Sequence, residues 1–286
     1  RERLEPFVFV GPALVLLSIF LIYPTLNTIY LSLFDARSEN FVGLQNYIAI
    51  LGNADMHIAF RNNLLWMVVM TGVCVSLGLV IAVLFDRIKL EPVAKSLVFL
   101  PVAISSVGAS VIWRFIYTFQ PAGREQIGLL NAIQVALGGE PVGWLTKIPW
   151  NNFALIAIMI WLQTGFCMVV ISAAVKNVPK ELTEAARIDG ATEFQIFAHI
   201  TVPYIQSTLL TMATTILIMV LKVFDIVYVM TRGNYDTEVI ANRMYIEMFT
   251  FRNFGNGTAL AVILFLAVTP AIWINVRNMR RNRSQA

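Results

Sequence analysis

The chain has 286 residues, of which 58% are hydrophobic and only 13% charged, with a formal net charge of +4. A soluble domain of this length carries roughly a quarter charged residues, so the composition excludes an ordinary water-soluble globule and points to lipid. No basic stripe suggests a nucleic-acid partner, and the length holds about six spanning helices of ~20 residues with their connections.

Taken in order, the first apolar run is 7–33, interrupted by Pro12 and Pro24 and long enough to need tilt or an interfacial end. A polar segment, 35–57, separates it from the second run, 62–85. A short basic turn with Arg87, Lys89 and Lys95 leads into the third run, 95–119, which contains Pro101 and Arg114; the arginine lies near its end and reads as interfacial. Segment 120–151, with Gly, Pro and Trp, reads as lying along the interface, with Trp144 and Trp150 in an aromatic belt. The fourth run is 152–175. A polar island, 176–203, precedes the fifth run, 204–230, which carries Lys222 and Asp225. Polar segment 231–256 leads to the sixth run, 257–276, and to a tail with four arginines. Cys74 and Cys167 both fall inside apolar runs and read as small core residues, while His57 and His199 give no metal spacing. The start at Arg1, without a methionine, points to further N-terminal residues.

The island is unlike its surroundings. Pro179 suits the first turn of a helix, residues 180–188 are mostly good helix formers, and Gly190 offers a left-handed closing residue. Thr192 with Gln195 three residues later has the form of a capping box. Phe194, Ile196, Phe197 and Ile200 recur at helical spacing, and Pro203 is expected to end the segment. Two short helices hinged at a glycine are predicted. Leu182, Ala185 and Ala186 share a face of the first, where the alanines let another surface approach closely.

Orientation follows from the cations. With a cytoplasmic N-terminus, the N-tail, the 87–95 turn, the island and the C-tail carry 12 Lys and Arg, against 6 in the three opposite segments. This bias places the island and both termini in the cytoplasm.

At this point the chain resembles a known family. Glu184-Ala185-Ala186, Asp189-Gly190-Ala191, Phe197, Ile200 and Pro203 look like the EAA motif of ABC importer permeases. Tyr23-Pro24, Phe41-Val42-Gly43-Leu44 with Asn46-Tyr47, Leu100-Pro101, Trp113, Gly128-Leu129-Leu130-Asn131, and Phe224-Asp225-Ile226-Val227-Tyr228 before Thr231 match the carbohydrate-uptake branch in the same order. Two departures are Val202-Pro203 followed by Ser207, where a further proline is common, and Thr231-Arg232-Gly233-Asn234-Tyr235, where Thr-x-Gly-Gly-Pro is common. Residues 222–245 look most like permeases for α-glucosides.

The resemblance implies an all-α integral membrane protein. One permease domain, 1–286, would have six transmembrane helices and a cytoplasmic helix-turn-helix coupling loop at about 176–205. It implies a second, homologous permease, two ATPase subunits that hold the ATP and Mg, and an extracytoplasmic sugar-binding protein, in a bacterial or archaeal cytoplasmic membrane. No cofactor or metal sits on this chain, no residue is catalytic, and no G-x-x-x-x-G-K-[ST] loop is present. Glu184, Ala185, Ala186, Asp189 and Gly190 would form the coupling turn, with Glu184 as a polar anchor and Gly190 as the bend. An ordinary cytoplasmic connection whose glycine merely caps a helix is the competing reading.

For the pathway, Lys222, Asp225 and Tyr228 fall at i, i+3 and i+6 and are expected on one helical face, offering donors, acceptors and an aromatic platform to a sugar. Gln163, Gly165, Phe166 and Trp113 are further candidates, and a Lys222–Asp225 pair that locks helix packing is the alternative. A permease of the same build for a polyol or glycerol-phosphate-like solute is the runner-up. An intramembrane enzyme would need a nucleophile with a base, paired acids or His-rich metal spacing within the spans. A stand-alone channel or carrier has no use for the island.

Overall fold

A computed structural model describes residues 5–86 and 88–283. Arg1, Arg3 and Arg87 of the charge count lie outside them, as do the side chains of the C-terminal arginines. Among the described residues the chain is helical, with no strand beyond one isolated bridge between Phe34 and Phe41.

The first run is α1 (Glu5–Leu17), a π turn (Ser18–Ile22) and α2 (Tyr23–Leu31). The prolines do not break it. Pro12 lies inside α1, and the π turn ends just before Pro24, where Tyr23 N–H reaches back five residues to Ser18 O. The wider turn makes room for a ring that would clash with a regular α ladder. After α3 (Gln45–Gly52) comes α4 (Ala54–Phe85), which starts eight residues before the predicted second run because Asn53 caps it, its side chain accepting from Asp55 N–H at 2.8 Å.

The predicted third span is two pieces. Helix α5 (Glu91–Phe99) passes through a 3₁₀ turn (Leu100–Ala103), and α6 (Ser106–Ile116) leaves at 101°. Pro101 sits in the 3₁₀ turn and Ser105 caps α6 by accepting from Gly108 N–H at 3.1 Å, so both sides of the bend are chemically specified. Helix α7 (Leu129–Ala136) follows, then α8 (Trp150–Lys176), which matches the fourth run closely.

Beyond α8 lie α9 (Lys180–Ile188), α10 (Glu193–Ile196), a second π turn (Phe197–Thr201) and α11 (Val202–Tyr204). Pro203 does not end the segment as expected. The helix runs through it, again with a π turn immediately upstream, and breaks at Ile205, from which α12 (Gln206–Leu221) departs at 68°. The fifth run is also interrupted: α12 stops at Leu221, the backbone leaves helical geometry at Phe224, and α13 (Asp225–Met230) is separate. Mean apolarity does not distinguish one helix from two half-helices. Segment 231–256 contains α14 (Ile240–Tyr245) and a third π turn (Ile246–Thr250), and α15 (Phe254–Arg283) closes the chain.

Among the described residues, three helices are long and apolar enough to cross a membrane, or up to five spans if each bent pair counts as one. Helices α4 and α8 form the spine. The buried face of α4 includes Asn62, Trp66, Met70, Cys74, Gly78 and Ala82, a ridge every four residues that shrinks toward its end. Without a strong hydrophobic drive between helices in lipid, close approach of small residues is what holds such a pair. At Gly78 a β-carbon would lie 2.7 Å from Cys167 Cβ, and the free thiols of Cys74 and Cys167 are 3.4 Å apart.

Gly165 does the same for the bend. A β-carbon there would stand 2.5 Å from Val98 O and 2.7 Å from Phe99 Cα, so the end of α5 packs directly on α8 backbone. Gly165→Ala is expected to destabilise the protein by about 1–3 kcal/mol. Gly72→Ala, where the added carbon meets nothing within 4 Å, should be neutral or stabilising by up to ~1 kcal/mol. Thermal unfolding of the two variants in detergent checks the contrast.

Candidate functional site

The island folds as its sequence dictates. Pro179 is the N-cap of α9, one residue earlier than expected, with Glu181 in the first turn and Arg187 in the last, both matched to the helix dipole. Gly190 takes φ +86°, with its N–H bonded to Arg187 O at 3.1 Å and Ala191 N–H to Ala186 O at 2.9 Å, which closes α9. The capping box at Thr192 and Gln195 forms in both directions, at 2.8 and 3.3 Å. Arg187 then reaches across the hinge to Glu193, at 2.7 and 3.4 Å, a fork that fixes the angle between the two helices. This pairing holds the Arg187 pKa above its ordinary value.

The hinge stands clear of the bundle. Glu184, Ala185, Asp189 and Gly190 are exposed and Ala186 is half-buried. Ile188 and Phe194, to which sequence reasoning gave no docking role, are 86% and 76% exposed, and Leu182 is exposed as well. Ile196 is buried and anchors the second helix. A cleft of about 580 Å³ separates the island from the ends of α4 and α8, with Val83, Asp86, Lys176, Lys180, Arg187 and Phe197 in its wall. In that wall Lys176 pairs with Glu91 at 2.6 Å and approaches Asp86 at 4.0 Å, while Lys95 bonds Glu91 and Ser172.

The pathway candidates are distributed differently from the expectation. The same-face argument for Lys222 and Asp225 assumed a continuous helix; Lys222 instead caps α12 and Asp225 begins α13, so that periodicity does not carry across. Both are exposed, and no ion pair joins them among the described residues. Tyr228 is half-buried in an aromatic cluster, stacked on Phe224 at 5.1 Å, edge-on to Tyr245 at 5.2 Å and covered by the Arg232 guanidinium at 5.8 Å. Trp113 packs on Tyr117 and Trp161, at 5.2 and 5.8 Å, and its Nε1–H has no partner among the described residues. Gln163 and Phe166 are half-buried on α8, and Gly165 is the close-packing point already described.

Sequence reasoning gave the segment after Tyr228 no site role. Arg232, Gly233, Tyr235 and Asp236 all have positive φ, a cluster of conformations that non-glycine residues adopt at a cost. Four asparagines on the spine hold it. Asn62 donates to Asp236 O and Glu238 O at 2.7 and 2.8 Å, Asn151 to Tyr235 O at 2.6 Å and Asn152 to Asp236 O at 3.0 Å, while Asn63 accepts from Ile240 N–H at 2.8 Å. The signal was present in the sequence: two Asn-Asn pairs, 62–63 and 151–152, each at the start of an apolar run.

With the geometry in view, comparison with known proteins is direct. The profile of binding-protein-dependent transport system inner membrane components matches residues 6–284. The chain belongs to that family. It is a multi-pass inner-membrane protein, and 61% identical over 273 residues to the osmoprotective compounds uptake permease protein GgtC of Synechocystis, covering 96% of this chain and 98% of the relative. The α-glucoside transport system permease protein AglF of Rhizobium meliloti is 49% identical, covering 98% and 84%. Among solved structures, a bacterial alginate ABC transporter in complex with its alginate pentasaccharide-bound periplasmic protein superposes with a TM-score of 0.84 at 20% identity, covering 98% of this chain and 96% of that one, a likeness of fold.

Within the clamped segment, burial raises the Glu238 pKa, opposed by hydrogen bonds from Asn242 and Val239 N–H and by Arg243, with Asp55 adding to the rise. A carboxyl whose folded pKa is raised adds stability that is full below the ordinary glutamate pKa of 4.5 and is lost as pH climbs through the shifted value. Glu238→Gln should therefore gain on the wild type progressively as pH rises above about 4.5. Thermal unfolding in detergent between pH 4 and 8 measures the difference, and a constant offset would refute it.

Proposed function

We propose that this chain is the transmembrane permease subunit of an ATP-driven ABC importer, taking up an oligosaccharide or glucoside delivered by an extracytoplasmic binding protein. The observation that carries the proposal is the exposed, internally locked helix pair hinged at Gly190, in a chain of the binding-protein-dependent family. The relatives' names support a glucosyl solute. In this reading the chain is one permease domain, 1–286, with the coupling loop at about 176–205. It crosses the membrane six times if each bent pair and α15 crosses once, with both termini and the island in the cytoplasm. Leu182, Ile188 and Phe194 supply the apolar contact to one of two ATPase subunits, Glu184 and Asp189 the polar rim, and Ala185 and Ala186 the close approach. Catalysis resides in those subunits, which hold ATP and Mg, and a second permease completes the pathway. Nucleotide-driven closure moves the island as a unit and shifts the pair from inward-open to outward-open, the work coming from differential binding between the two states.

A polyol-like osmoprotectant is the second reading for the solute, favoured by the name of the 61% identical relative. Lys222, Asp225, Tyr228, Gln163, Phe166 and Trp113 remain the proposed contributors to the pathway, with Gly165 setting the bend beside them.

Gly190→Pro cannot hold φ +86°, and Glu184→Lys reverses the charge of the rim. Either is expected to abolish ATP-driven uptake while the chain still inserts and pairs. Uptake by vesicles holding all partners tests this, and unimpaired transport by both variants would defeat the coupling assignment.

A further inference from the structure

Around Tyr228 lies a second feature, a cavity of about 480 Å³ whose wall includes Arg114, Tyr228, Thr231, Arg232 and Asn234. Its volume falls within the ~300–1,000 Å³ of small-molecule sites. Resting on the importer reading, we propose that Arg114 and Arg232 form a two-fork subsite at the extracytoplasmic mouth of the pathway, which receives vicinal hydroxyls of the incoming sugar.

Both arginines are exposed, and among the described residues neither has a carboxylate within 4.0 Å. The two come from different elements, the last turn of α6 and the second residue past α13, so the site exists only because those helices pack together. Arg232 is held in place twice. Its guanidinium lies over the Tyr228 ring, which Phe224 and Tyr245 fix in turn. Its backbone, at φ +55°, closes α13 through a hydrogen bond to Val227 O at 2.8 Å. The asparagine clamp from the spine immobilises the residues that follow. A non-glycine residue kept in this conformation by so many restraints marks a site where side-chain position is in demand.

The chemistry selects the ligand. A guanidinium presents paired, coplanar N–H donors in a fixed fork, where an ammonium is a point charge, and two adjacent hydroxyl oxygens can accept that pair. The Tyr228 ring, already covered, contributes by orienting the donor instead of stacking on the sugar. Asn234 donates its amide N–H to Thr231 O at 2.8 Å, which leaves its carbonyl oxygen as the acceptor for a hydroxyl proton. The acceptor oxygen beside the two forks is what points to a hydroxyl-rich ring, since a hydroxyl accepts from the forks and donates to the amide oxygen, whereas an ionised group has no proton to offer it.

The test uses the complete importer in vesicles, with both permeases and both ATPase subunits. Equilibrium binding of radiolabelled sucrose, trehalose and methyl α-glucoside is measured without the binding protein, and docking is measured separately from the binding-protein concentration that half-saturates ATPase stimulation. Arg114→Gln and Arg232→Gln are each expected to weaken sugar binding about tenfold, the loss of a hydrogen bond from a charged donor, with Arg232→Lys failing to restore it. Arg232→Gly relieves the backbone at that position, so it should fold at least as well and still lose sugar affinity. Restoration by lysine would show that charge alone matters and would overturn the fork. A change in docking with sugar binding unmoved would reassign the arginines to the binding-protein contact. Stimulation by loaded binding protein without sugar binding by the wild type would remove the subsite and leave the importer reading standing. No stimulation in the wild type would remove both.

Discussion

The packing of α4 against α8 is the contact on which the rest of the structure depends. Side chains on α4 dwindle from Trp66 and Met70 to Cys74, Gly78 and Ala82, and the two helices close to backbone distance where Gly78 meets Cys167. At about 1.5 Å per residue both helices exceed the ~30 Å hydrocarbon core. Each therefore emerges at both ends and has polar work to do there. At one end Asn62, Asn63, Asn151 and Asn152 hold the strained segment after Tyr228. At the other, Asp86 and Lys176 stand over the hinged island. The spine runs in one direction in both helices, so a single rigid unit joins the two ends of the molecule.

Around this unit the third and fifth runs are discontinuous. The breaks fall after Ala103, at Ile205 and at residues 222–224, each beside the spine or next to polar side chains. That placement follows from the cost of unbonded backbone in lipid, which is tolerated only where protein or polar surroundings can satisfy it. At Pro24 and Pro203, both exposed, a π turn just upstream lets the helix run through the proline. The alternative devices leave different products. A π turn keeps the helix continuous, whereas a break exposes Lys222 and Asp225 and allows Phe224 to sit against both Tyr228 and Tyr245.

The two polar ends differ in how they are built. The island is stabilised by its own residues: a left-handed glycine, a reciprocal cap and one bidentate ion pair, all within 20 residues. It keeps its shape while presenting Leu182, Ile188 and Phe194 outward. The opposite segment has little regular structure of its own and takes its form from asparagines up to 177 residues away in the chain. One is a prefabricated part, the other a loop cast against the spine.

This difference explains what could be read without a fold. Composition alone pointed to lipid, and local chemistry located the hinge, because Pro179, Gly190 and the Thr192–Gln195 pair act on near neighbours whose partners are fixed by sequence distance. The long apolar runs were equally visible, since lipid solvation depends on summed side-chain polarity. The bends in the third and fifth runs were not, because continuity of a helix depends on what packs beside it: Gly165 for one, the aromatic cluster for the other. Nor was the meeting of Arg114 with Tyr228 and Arg232, or the asparagine clamp. Those are contacts between distant elements, and only the packing of α4 on α8, with α6 and α13 against them, decided which side chains share a cavity.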